Sequence, residues 1–284
     1  MAMQRPDYGI DAPGLVRAFF SIGGIALTLS LGLILVFDSH RGWAEVLAVP
    51  LMVIAIYTIS MGCFMVHYSR VTKLRDRQQF LGVIPLTGSE QVLDVGCGRG
   101  LLLIEAAKRL PHGKAVGVDI WRAEDQSENH AAAALENATL EGVKDRVEIH
   151  TADMRQIPFS EESFHAVVSH WAIHNLDKAE DRSLALSEII RVLKPSGWVL
   201  IADIENSEEY QSAFARHGLI NIRVINANRS TAMMKAVSFG SFYPTAVLAQ
   251  KPPRTSTQDS EVLMGATRGN KSSKSQASLY NLVF

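Results

Sequence analysis

Gln91–Gly100 reads QVLDVGCGRG, and LLLIEAAKRL, Leu101–Leu110, follows it directly. Val92, Leu93 and Val95 make a short aliphatic run of the kind that fills a buried parallel strand. Gly96, Gly98 and Gly100 then alternate through a tight turn before a helical pattern begins. Such a turn brings backbone close to a ligand, and the helix N-terminus presents free N–H groups to it. The spacing predicts a strand, a ligand cradle and a helix. A dinucleotide fingerprint would need glycine or alanine where Leu101 stands. Tyr-x-x-x-Lys, the mark of a short-chain dehydrogenase, is absent too: none of the six tyrosines has lysine four residues on.

Outward from that stretch, strand and helix patterns alternate, which predicts an α/β fold with a doubly wound, mostly parallel seven-stranded sheet. Strands are expected near Gln91–Val95, Ala115–Ile120, Arg146–Thr151, Phe164–Ser169, Trp198–Asp203, Asn221–Asn226 and Tyr243–Leu248. Helices are expected near Leu101–Leu110, Gln126–Glu141, Arg182–Leu193 and Ser207–His217, with a short helix and linker over Val71–Leu86. Lys194-Pro195-Ser196-Gly197 should stop one helix and turn into the next strand. Past Lys251 the chain is rich in Ser, Thr, Lys and Gly, a composition that predicts disorder.

Asp94 with its three glycines, and the order of elements from Glu90 to about Lys251, resemble the class I S-adenosylmethionine (SAM)-dependent methyltransferases. The resemblance covers a little under three-fifths of the 284 residues and implies SAM as cofactor. It implies that Asp94, Gly96 and Gly98 receive the methionine end, with Gly100 opening the helix behind them. Asp119, closing the second strand, would accept the ribose hydroxyls, and Ile120 would lie against the adenine. Asp153 would accept the adenine amino group while the Met154 backbone reads the ring edge. Ser169-His170-Trp171-Ala172-Ile173-His174-Asn175 would face the transferred methyl, with Ser169 on the cofactor side. His170 is the preferred base or orienting group, and His174 serves in catalysis or packing. His-x-x-x-His lacks the glutamate and third ligand of a zinc site, so no metal is expected.

The flanks carry a second signal. Ala18–Phe37 and Val46–Val66 contain no charged residue, and each is about the length that crosses a ~30 Å hydrocarbon core. The expected division is a tail, 1–17; a transmembrane hairpin, 18–66, with spans 18–37 and 46–66; a juxtamembrane helix and linker, 67–88; a methyltransferase domain, 89–252; and a disordered tail, 253–284. Arg70, Lys73, Arg75 and Arg77 follow the second span while only Arg41 lies in the connector, which puts both ends and the catalytic domain in the cytosol. The same cluster either holds the next segment against anionic lipid or is a plain stop-transfer flank. Cys63 and Cys97 fall too far apart in this plan to form a disulfide.

A net charge of −1 gives no case for nucleic-acid binding. The combination predicts a membrane-bound methyltransferase with a lipid-type or otherwise hydrophobic acceptor, such as an isoprenoid, a quinone precursor, a phospholipid headgroup or an acyl chain. A soluble small-molecule or protein acceptor, and a SAM-binding scaffold without turnover, are the alternatives. Met233, Met234, Phe239 and Phe242 would wall the acceptor side. Deleting residues 1–66 is expected to reduce activity on bilayer substrate more than SAM affinity.

Overall fold

A computed structural model describes residues 5–36, 41–226 and 245–254. Two long apolar helices come first, α1 (Pro13–Val36) and α2 (Arg41–His67). They pack where small residues permit close approach. A Cβ on Gly23 would lie 2.6 Å from Ile59 Cγ1, and one on Gly62 would lie 3.0 Å from Phe20. Ser30 Oγ donates to the Ala48 carbonyl across the pair at 2.8 Å. The outward faces stay bare: Ile25 is 63% exposed, Leu35 78% and Val46 71%.

A π-helical turn, Tyr68–Thr72, carries α2 into α3 (Lys73–Gly82). Next come β1 (Gln91–Val95), α4 (Leu101–Lys108), β2 (Lys114–Asp119), α5 (Ala131–Leu140), β3 (Val147–Thr151) and β4 (Phe164–His170). The chain continues through α6 (Ala179–Val192), β5 (Leu193–Asp203), α7 (Ser207–Arg216), β6 (Ile220–Asn226) and β7 (Thr245–Gln250). The sheet runs β3-β2-β1-β4-β5-β7-β6, and β7 lies antiparallel to both neighbours. Strand order reverses beside β1, so the carboxyl ends of β1 and β4 open a crevice there, the usual ligand position in such sheets. Apolar side chains fill both faces: Leu102, Leu103 and Ile104 on one side, Leu186, Ile189 and Phe214 on the other.

Several expectations need correction. Within the expected 1–17 tail, Asp7–Ala12 is packed on the α/β domain and Tyr8 is buried. That packing explains why the helix expected from Gln126 starts only at Ala131. The Asp125–Ser127 backbone pairs with the N-terminal stretch instead, through Ala12 N–H to Asp125 O and Ser127 N–H to Ile10 O. His130 then caps α5, its Nδ1 accepting from Ala133 N–H. The basic cluster is also split. Lys73 is 1% exposed and Arg77 7%, both engaged by protein groups, so only Arg70 and Arg75 remain on the surface. Lys194–Gly197 forms a bulge inside β5, with Ser196 at φ 63, because β4 pairs Phe164 with Leu193 and then Ala166 with Trp198. The acceptor wall of Met233, Met234, Phe239 and Phe242 lies outside the described residues, as do Tyr243, Pro244 and residues 255–284. Both cysteines are free.

Candidate active site

A cavity of about 550 Å³ opens at the carboxyl ends of β1, β2 and β4. Asp94, Gly96, Gly98, Asp119, Ile120, Asp153, Met154, His170 and His174 all reach its wall. Gly100 and Ser169 do not. Gly100 caps α4 from behind with φ 86, and the Ser169 hydroxyl donates to Val95 O at 2.8 Å, pinning β4 to β1.

The turn after β1 is glycine for steric reasons. Gly96, Gly98 and Gly100 all take positive φ, and a Cβ on Gly96 would sit 2.2 Å from Ala172 Cβ. Asp94 is buried beneath the turn and accepts Leu103 N–H at 2.8 Å. Burial pushes its carboxyl up to about 7; the Leu103 bond opposes this, and the nearby Asp119 charge adds to it. Asp119 accepts Gly98 N–H at 2.8 Å and Trp121 N–H at 2.6 Å, so the strand end and the glycine turn hold each other. A fork from Arg155, including a 2.6 Å contact, grips Asp153 and keeps its carboxyl below the usual range.

The two histidines have opposite surroundings. His170 stacks on Trp171 at 5.3 Å, and Trp171 stacks in turn on Tyr68 of the π turn at 4.7 Å. Its Nε2 is shut off from solvent and has no hydrogen-bond partner among the described residues. Burial pushes this imidazole down to about 4, the charge of Asp11 opposes the shift, and Lys73 reinforces it. His174 instead places Nδ1 2.5 Å from Asp203 Oδ1 at the end of β5. Asp203, 2% exposed, also accepts from His174 N–H, Ile204 N–H and the Tyr210 hydroxyl. Burial alone would lower the His174 imidazole, but the Asp203 bond and charge outweigh it and raise it.

A pH effect on stability follows from His170. The unfolded imidazole takes a proton near 6.5 and the folded one only near 4, so this contribution is complete above pH 6.5 and disappears as pH falls from 6.5 to 4. His170→Phe should remove about 2 kcal/mol of the stability difference between pH 7 and pH 5, measured by denaturant unfolding. An unchanged difference would place the sensitivity elsewhere.

Sequence reading missed Asp203 and Tyr210, although Asp203 ends an expected strand and that position was the available signal. It also missed Gln126 and Asn129. Gln126 Oε1 accepts Arg99 N–H, and Asn129 Oδ1 is buried on the cavity wall without a partner among the described residues. Asp11 and Lys73, also on the wall, form an ion pair at 3.0 Å.

Residues 92–197 match the family described as "Methyltransferase domain". A demethylmenaquinone methyltransferase from Symbiobacterium thermophilum is 32% identical over 142 residues, covering 50% of this chain and 52% of that protein. The 27-O-demethylrifamycin SV methyltransferase of Amycolatopsis mediterranei is 33% identical over 135 residues, covering 46% of this chain and 44% of its own length. The chain thus spans about half the length of the curated relatives it matches. Among solved structures, the cyclase SpnF shares the fold at 17% identity and a TM-score of 0.51, covering 66% of this chain and 83% of that one. Over residues 92–197 the α/β part of this chain thus matches a methyltransferase domain, set within a seven-stranded sheet.

Proposed function

We propose that this protein is a membrane-anchored SAM-dependent methyltransferase acting on a lipid-type acceptor. Its working parts are the hairpin of 18–66, the juxtamembrane segment 67–88 and the domain 89–252, with the catalytic side in the cytosol. The observation that carries the reading is the reach of the cavity. It runs from the glycine turn to Leu15 and Met65, which stand at the feet of α1 and α2. Both helices are long and apolar enough to cross a bilayer, and their outward faces bear exposed Ile, Leu and Val along their length. Bare apolar surface on that scale suits lipid rather than water. Relatives named for demethylmenaquinone and demethylrifamycin SV fit an apolar acceptor.

The wall suits SAM, whose sulfonium and ammonium give it net positive charge. Asp11, Asp94, Asp119, Glu124 and Asp125 all line the cavity. Asp94, Gly96 and Gly98 would hold the methionine end, Asp119 the ribose, and Ile120, Asp153 and Met154 the adenine. Because Arg155 already grips Asp153, the Met154 backbone would carry much of the adenine contact. When bound, SAM supplies an electrophilic methyl group. The protein's tasks are then to align the acceptor, exclude water and take a proton. His174 is the proposed base, since Asp203 occupies Nδ1 and leaves Nε2 to receive the proton. His170, neutral at pH 7 and stacked on Trp171, shapes the wall beside the base.

Incubating native membranes that contain the full-length protein with SAM labelled in its methyl group tests this reading. Enzyme-dependent label should partition into organic solvent. Label found only in water, or only on protein, would overturn the lipid acceptor. Absence of transfer with SAM bound would favour a scaffold.

A further inference from the structure

Asp7–Ala12 crosses the domain as a strap and enters α1 at Pro13. From α3, Lys73 Nζ donates to Tyr8 O at 2.9 Å, to Gly9 O at 3.1 Å and to the Asp11 carboxylate at 3.0 Å. One turn on, Arg77 donates to the Tyr8 hydroxyl at 2.7 Å, and that hydroxyl donates to Glu141 at 2.8 Å. The glycine turn holds the strap as well, with Arg99 Nε donating to Asp7 O at 2.7 Å. Gln126 joins the two. Its Nε2 donates to Tyr8 O and Asp11 Oδ1, and its Oε1 accepts the N–H of Arg99, between Gly98 and Gly100. Asp11 and Ala12 meanwhile face the same cavity as Gly96, Gly98 and Asp119.

We propose that Asp7–Ala12 is a wall of the cofactor site, with Gln126 and Asp11 as positioning residues that brace the glycine turn. The proposal rests on the assignment of this cavity to SAM. Seating of the strap and occupancy by SAM must then favour each other by the same factor, since coupling between two binding events is reciprocal. The strap is continuous with α1, so the hairpin is joined to the cofactor site by a load path of hydrogen bonds rather than a loose tether.

Gly9 gives the cleanest probe. It has φ +70 and is absent from the cavity wall, and a Cβ there would lie 2.9 Å from Arg99 Cδ and 3.1 Å from Ser127 O. In full-length protein held in nanodiscs, Gly9→Ala should raise the Kd for SAM about tenfold, and Tyr8→Phe about threefold or more. Amide exchange at residues 8–12 of the native protein should slow on adding SAM, a measurement that needs no variant. Both variants binding SAM within twofold of native would overturn the proposal. So would strap exchange indifferent to SAM in native protein that binds it. If native protein fails to bind SAM, the cavity assignment falls and the strap proposal with it.

Discussion

His174→Ala should lower kcat by about 10²- to 10⁴-fold while leaving the Kd for SAM within about threefold of native, as expected for loss of a general base. The reason lies in what Asp203 does to the ring. A carboxylate 2.5 Å from Nδ1, itself fixed by Tyr210 and two backbone N–H groups, locks the imidazole's orientation and raises its proton affinity. Asp203→Asn keeps the shape but removes the charge, so it should cost nearly as much. The sign of the pH dependence follows. A base must be deprotonated to act, so kcat rises with pH through the raised His174 value, above 6.5. In Asp203→Asn that limb should move to lower pH even as the plateau drops. His170→Gln should leave the limb in place, because an imidazole near 4 does not titrate there. Native turnover in His174→Ala, with loss in His170→Ala, would reverse the two roles.

The sequence holds the sheet in plain view because buried parallel strands are aliphatic runs, and each run here ends near a residue that faces the crevice. Asp94, Asp119 and Asp153 were legible for that reason. From sequence His170 is preferred to His174 as the base, an order that the proposal above reverses. They are the same residue type four positions apart, and what separates them is Asp203, which the pairing of His170 with Ala202 brings alongside. Lys73 and Arg77 misled in a related way. A basic residue after an apolar helix reads as a solvated flank, and only partners more than 60 residues away, Asp11 and Tyr8, show that these two are buried. Gln126–Asn129 carries a helical pattern locally, yet Ser127 N–H is taken by Ile10 O of the strap and the Ser127 and Glu128 carbonyls by Arg99.

The strap changes the meaning of truncation. Removing residues 1–66 would take away Tyr8, Gly9 and Asp11, the partners of buried Lys73, and part of the cavity wall, while Arg77 would keep Glu105 and Glu141 and Arg99 would keep Glu128. Leaving buried charge unpaired costs about 3–5 kcal/mol per broken pair. Such a deletion therefore cannot separate membrane delivery from cofactor binding, contrary to the simpler picture of a detachable anchor. Substitutions on the outward face of α1, for example Leu29→Ser, separate the two because they leave the strap intact.

Gly96→Ala should raise the Kd for SAM by about 30-fold or more, from roughly 2 kcal/mol or more of strain and overlap. Two penalties meet at this position. Alanine resists φ 72, and its Cβ would lie 2.2 Å from Ala172 Cβ, with no flexible side chain to yield. Relief requires the glycine turn or the 170–174 loop to move, and both face the cavity. Gly142 isolates the first penalty: it has φ +71 with nothing within 4 Å of a Cβ, and it lies away from the site. Gly142→Ala should cost about 1 kcal/mol of stability and leave SAM binding unchanged. Titrating SAM into both variants and measuring their unfolding separates strain from loss of the cradle. Should Gly96→Ala bind SAM as tightly as native while losing only stability, the turn after β1 is a structural device and the cofactor lies elsewhere in the crevice.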